Sequence, residues 1–168
     1  HQTKFKNYAI MPEINTINLK RFAQEARKKL IEQIGAKLEL VLTSDSAELR
    51  EKASQVKKLQ EEINATSKEQ VIDKVAYTWF NRLMALRFMD ANDYQPIGLR
   101  VVTPKDNYTL PEILDEAKQG TISDELPVNQ QHIYDVLDGK IPSSNAQNEA
   151  YKELLIGACN HLNIVFPF

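Results

Sequence analysis

Glycine is scarce in this sequence: Gly35, Gly98, Gly120, Gly139 and Gly157 are its full complement. Placed so far apart, they write neither a Gly-x-Gly-x-x-Gly turn nor a Walker loop, so no phosphate cradle built on glycine backbone is available. Cysteine is reduced to Cys159, which cannot form an internal disulfide and points to a reducing, cytoplasmic setting. No run approaches the ~18 apolar residues that cross a bilayer, so no membrane partner is expected. The opening HQTKFKNYAI lacks the apolar segment of a signal peptide. Histidines are few and scattered, at His1, His132 and His161, and Cys159-Asn160-His161 has no second ligand pair. No metal site is expected, because zinc needs a full set of closely spaced ligands. The plain reading there is a buried thiol beside a surface histidine.

Catalytic signatures are missing as well. No Gly-x-Ser-x-Gly elbow occurs, and nothing in the sequence sets Cys159 or a serine beside a base. Chemistry on a flipped adenine would require an Asn/Asp-Pro-Pro-Tyr/Phe tetrapeptide to hold the exocyclic amine and stack the base. Phe166-Pro167-Phe168 and Leu126-Pro127-Val128 come nearest and do not qualify. No catalytic, cofactor-binding or metal-ligating residue is therefore assigned.

What is present is helical. Hydrophobic residues make up 42 % and charged residues 26 % of 168 positions, proportions of a globular chain long enough to bury a core. The small net charge of −2 hides an asymmetry. Residues 1–42 hold eight basic against four acidic side chains, whereas residues 104–140 hold three basic against eight acidic. Most such runs are solvated faces, and the basic end is weak evidence for an anionic partner.

Periodicity predicts a first helix from about Asn18 to Leu42, with Ala23, Ala26, Leu30, Ile34, Leu38 and Val41 on one stripe and Thr16 or Asn18 as cap. Thr43-Ser44-Asp45-Ser46 breaks it and supplies the cap of a second helix, about Ala47 to Asn64. Two helices so joined read as an antiparallel hairpin. Thr66…Glu69 and Ser67…Gln70 are overlapping capping boxes that open a third helix, Lys68 to about Ala91. Its apolar residues, among them Val71, Val75, Trp79, Phe80, Leu83, Leu86, Phe88 and Met89, cover most of its circumference, which predicts a buried central helix with Trp79 in the core.

After the stop at Asn92-Asp93-Tyr94-Gln95-Pro96, Ile97–Val102 is the one plausible strand, and no partner for it is apparent. Short helices follow, one from Pro111 to Gly120, one from Val128 to Asp138 closed by Gly139, and a last from Asn145 to about Asn163. The expected fold class is mainly α, a helical hairpin with a buried central helix and at most a minor β element. Residues 1–16 read as a tag or a poorly defined segment, and residues 17–168 as a single helical domain whose apolar tail, Val165-Phe166-Pro167-Phe168, has no natural stop.

The central helix carries more than amphipathicity. Its block Val75-Ala76-Tyr77-Thr78-Trp79-Phe80-Asn81-Arg82-Leu83-Met84-Ala85-Leu86-Arg87-Phe88-Met89-Asp90-Ala91-Asn92 resembles the opening region of the PglX-type methyltransferases of BREX phage defence. Asn18-Leu19-Lys20-Arg21-Phe22-Ala23-Gln24-Glu25-Ala26-Arg27 resembles the start of those proteins, and Tyr151-Lys152-Glu153-Leu154-Leu155-Ile156-Gly157-Ala158-Cys159-Asn160 the segment just before their catalytic region. The resemblance spans most of residues 17–168 and only the beginning of a much longer protein. That family is similar to type I and type IIG restriction-modification methyltransferases.

The resemblance implies a parent enzyme that transfers a methyl group from S-adenosylmethionine to the N6 amine of adenine in a short DNA site. The catalytic domain would lie downstream, so this chain alone should be inactive. Its partners would be that domain, DNA through the parent enzyme, and other BREX proteins. A different class, an autonomous helical protein-interaction module with no methyltransferase parent, stands beside it.

Two sets of residues carry the candidate roles. Arg21, Arg27, Lys28 and Lys29 lie largely off the apolar stripe of the first helix and form a basic ridge suited to DNA phosphates; the plain alternative is a wet face with Glu25 paired to Lys29. Asn81, Arg82, Arg87 and Asp90 are polar groups on an apolar helix and need partners, either loops of the same domain or a neighbouring one.

Overall fold

A computed structural model of the protein describes residues 16–166. The readings made for the N-terminal segment up to residue 15, and for the last two residues of the tail, lie outside the described residues. The chain is mainly α, with helices α1 (Thr16–Thr43), α2 (Ala47–Glu51), α3 (Ala53–Ala65), α4 (Lys68–Ala91), α5 (Glu112–Lys118), α6 (Gln130–Leu137) and α7 (Ala146–Val165), and no strand among the described residues. It divides into two compact units at the Tyr77/Thr78 boundary, inside α4.

The first unit contains α1 to α3 and the start of α4. Thr16 is the first residue of α1 and Asn18 the third. Ser46 does cap the next element, its Oγ accepting from the Leu49 amide at 3.2 Å. The predicted second helix is interrupted at Lys52, whose backbone (φ −99°, ψ 22°) leaves the helical region between α2 and α3. Thr66 and Ser67 divide the work that two overlapping capping boxes were expected to share. Ser67 Oγ accepts from the Gln70 amide at 3.1 Å and starts α4, while Thr66 Oγ1 donates to the Glu62 carbonyl at 2.8 Å and closes α3. Lys74 Nζ, 2.6 Å from Glu62, braces the turn between α3 and α4, and Lys68 pairs with Glu39 of α1. Leu38, Val71 and Ala76 are the buried apolar side chains here.

The second unit holds the larger core: Leu86, Val101, Ile113, Leu114, Ala117, Ile122, Leu126, Ile133, Ala150, Leu154, Ala158 and Cys159. α7 supplies the last four and also buries Gly157 and His161. Asn129 and Asn145 cap α6 and α7, their side-chain oxygens accepting from the amides of His132 and Asn148 at 3.1 and 3.0 Å. Gly157 has a steric purpose: a Cβ there would fall 2.2 Å from Val128 Cγ1, so only glycine lets α7 approach so closely.

The buried face of α4 is narrower than its composition suggests. Leu86 and Asp90 are 1 % exposed, yet Tyr77 and Phe88 are each 62 % exposed. Trp79 is half-buried, packed against the core, with the Arg82 guanidinium 5.4 Å from its ring centre. An all-round apolar sequence thus leaves Tyr77 and Phe88 exposed on one side of the helix.

Residues 97–102 form turns and bends in place of the anticipated strand. The amides of Val101, Val102 and Thr103 all donate to the Asp90 carboxylate at 2.9 Å. A strand needs a partner strand for these groups, and here a single side chain takes them.

Two outcomes follow for stability. Asp90→Ala should strand those amides and lower the unfolding free energy by about 3 kcal/mol or more, read by urea denaturation. Gly157→Ala should cost about 1–3 kcal/mol by overpacking, and a Val128→Ala change in the same chain should recover part of the loss. A Gly157→Ala chain as stable as the parent sequence would show that α7 has room to shift.

Candidate functional site

Asp90 is the best-organised polar group in the chain. It sits in the last turn of α4, where the helix dipole disfavours a negative charge, and burial adds a further penalty. Five donors offset both. Gln95 Nε2 reaches Oδ1 at 2.6 Å and the Val101 amide reaches it at 2.9 Å. Oδ2 accepts at 2.9 Å from the amides of Val102 and Thr103 and from Thr103 Oγ1.

The other backbone groups of this loop are paired just as closely. Glu112 Oε2 accepts the Arg100 amide at 2.9 Å. The Arg100 and Thr103 carbonyls accept from the Ile113 and Glu112 amides at the start of α5, each at 3.0 Å. Tyr151 of α7 donates its hydroxyl to the Val101 carbonyl at 3.1 Å. Burial, and then the negative charge of Asp90, hold the Tyr151 hydroxyl above its ordinary pKa, so it stays a donor at neutral pH. Every one of these interactions is internal, and they make the site a structural clasp.

The chain leaves α4 through a glycine-free left-handed turn. Asp93 adopts φ 54°, Tyr94 N–H donates to the Met89 carbonyl at 2.9 Å and Asp93 N–H to the Asp90 carbonyl at 3.4 Å, the pairing of a Schellman closure. Arg100 lies 3.5 Å from the Asp93 carboxylate.

Of the polar set on α4, Asp90 alone is buried, and it ties a loop of its own unit. Asn81, Arg82 and Arg87 are exposed. The basic ridge on α1 is also exposed throughout, at Arg21, Arg27, Lys28 and Lys29, with Lys20 beside it. Its ion pairs differ from the expected one. Glu25 meets Arg21 at 3.8 Å, and Lys28 meets Glu32 at 4.0 Å. Both pairs are long and solvated, and such pairs contribute little, so the ridge remains open to another anion.

Burial raises the Cys159 thiol above its ordinary pKa, with Arg82 opposing weakly, which is the environment of an unreactive thiol. His161, expected at the surface, is 7 % exposed. Its Nε2 has no hydrogen bond, the Glu125 carboxylate standing 3.5 Å away. The wide buried arc of α7 draws in both Cys159 and His161, although two residues apart they point to different sides of the helix. His132 Nδ1 meets Glu153 at 2.7 Å and joins α6 to α7. No group of His, Cys, Asp or Glu able to hold a metal ion occurs among the described residues, and none of their helices is long and apolar enough to cross a membrane.

Comparison with known proteins supplies two relatives. The adenine-specific methyltransferase PglX of Lacticaseibacillus casei (strain Zhang) is 33 % identical over 184 aligned residues, covering 89 % of this chain and 15 % of that protein. The adenine-specific methyltransferase BrxX of Escherichia coli O9:H4 (strain HS) is 32 % identical over 111 residues, covering 60 % of this chain and 8 % of that protein. The chain is related to the PglX-type adenine-specific methyltransferases. It spans less than a sixth of the length of either relative. No protein-family model and no solved structure matches it.

The environment of Cys159 makes a direct prediction for this PglX-related chain. In the native protein the thiol should react with a disulfide reagent at least about tenfold more slowly than in urea-unfolded protein. Equal rates in the two states would contradict the burial described here.

Proposed function

We propose that this chain is an N-terminal, non-catalytic domain of a site-specific DNA methyltransferase that acts on the N6 amine of adenine in bacterial phage defence of the BREX type. One observation carries the reading: the chain aligns over most of its length with two adenine-specific methyltransferases while covering 15 % and 8 % of them. Its own sequence offers neither the glycine turn for the methyl donor nor the amine-holding tetrapeptide. S-adenosylmethionine and the adenine are accordingly assigned to the remainder of the parent protein, and the expected setting is the cytoplasm.

Within this reading, the α1 ridge supports the parent enzyme on DNA. Arg21, Arg27, Lys28 and Lys29 project into solvent and neutralise phosphates without reading bases. Their exposure on regular helix allows them to be changed without loss of fold.

The test uses the full-length parent enzyme. Replacing Arg21, Arg27 and Lys28 by Gln should weaken specific and non-specific duplex binding alike. The slope of log affinity against log salt should flatten by roughly 2.7, about 0.9 for each lost phosphate contact. Helix content by circular dichroism should not change. An unaltered salt slope in a folded variant would reduce the ridge to a solvated face.

A further inference from the structure

The outer face of α4 within the second unit is apolar and uncovered. Asn81, Met84, Ala85 and Phe88 recur at steps of three and four and therefore share one side of the helix. Asn81, Ala85 and Phe88 are exposed and Met84 half-exposed. Tyr94 extends the patch beyond the helix end, its ring set edge-on to Phe88 with centres 6.1 Å apart and both rings 62 % exposed. Arg82 and Arg87 flank this side, and both are exposed. Residues 81–92 contain one carboxylate, that of Asp90, and it is buried on the opposite side of the helix.

The patch is held rigidly from behind. Asp90 and Gln95, the residues bracketing the exit turn, are both buried and bonded to each other, and the turn between them is closed by the Met89 carbonyl. Tyr94 therefore has little backbone freedom to lose when something covers it, a condition that favours binding.

We propose that this face, centred on Phe88 and Tyr94, is the docking surface for the remaining polypeptide of the parent methyltransferase, through an apolar groove rimmed by carboxylates. The inference rests on the function proposed above and names the contact by which the domain joins the rest of that enzyme. Two features select this occupant. More than four-fifths of each relative's length lies outside the region matched to this chain; in the proposed parent that remainder is covalently linked and present at high effective concentration. The patch itself is an aromatic centre between two exposed arginine side chains, which suits an apolar surface with acidic edges better than a row of phosphates.

Thiol labelling tests it. Tyr94→Cys and, separately, Phe88→Cys are prepared in the 168-residue chain and in the full-length parent, each with the buried Cys159 as background. Tyr108→Cys, an exposed position that is not part of the patch, is the control. Maleimide should label positions 88 and 94 readily in the short chain and at least about tenfold more slowly in the parent, while position 108 labels alike in both. Equal labelling of 88 and 94 in the two proteins overturns the proposal. Protection that extends equally to 108 overturns the assignment to this face. Protection that appears only when DNA is added gives the surface to nucleic acid, and concentration-dependent protection in the short chain gives it to a second copy; either outcome also overturns it. Adenine methylation by the unsubstituted parent is measured in parallel. Its absence removes the proposed function, whatever the labelling shows.

Discussion

The carboxylate of Asp90 is the constraint on which the second unit depends. A negative charge in the last turn of a helix, 1 % exposed, is unfavourable on two counts, and it is kept because it replaces a partner strand. It takes the amides of Val101, Val102 and Thr103, and the loop so oriented offers its carbonyls to the first amides of α5 and to Tyr151 of α7. α4, α5 and α7 are thus linked through four residues of irregular backbone whose polar groups are nearly all paired internally. Irregular chain passing through a core is tolerated on those terms.

This arrangement redistributes the apolar residues. The core is formed by the inner side of α4, by α5 and α6, and above all by α7, which approaches Val128 closely enough to require glycine at 157. The outer side of α4 is left over. An exposed aromatic pair supported by a rigid turn is an unusual feature for a finished surface. It agrees with a chain that spans only a small share of its relatives.

The two candidate surfaces differ in physical character. The α1 ridge is charged, solvated and laced with weak ion pairs at 3.8 and 4.0 Å, suited to long-range, salt-sensitive attraction. The α4 face is apolar and pre-ordered, suited to short-range contact.

The sequence by itself determined the helical class and most helix positions, because amphipathic spacing and caps are local: Ser46 and Ser67 start their helices by bonding amides three residues on. It also identified Asp90 as a polar group in need of partners, and the order of residues in the α4 block, which amphipathicity does not dictate, carried the family resemblance. Only the tertiary structure decided what those partners were. The bonds from Asp90 to residues 101–103 and from Tyr151 to Val101 join positions 11 to 50 residues apart, and no periodicity encodes such a pairing. For the same reason the expected strand became a loop, His161 moved inside and Phe88 stayed out. Hydrophobicity says that a residue gains from burial, but which faces are covered depends on the elements that pack against them.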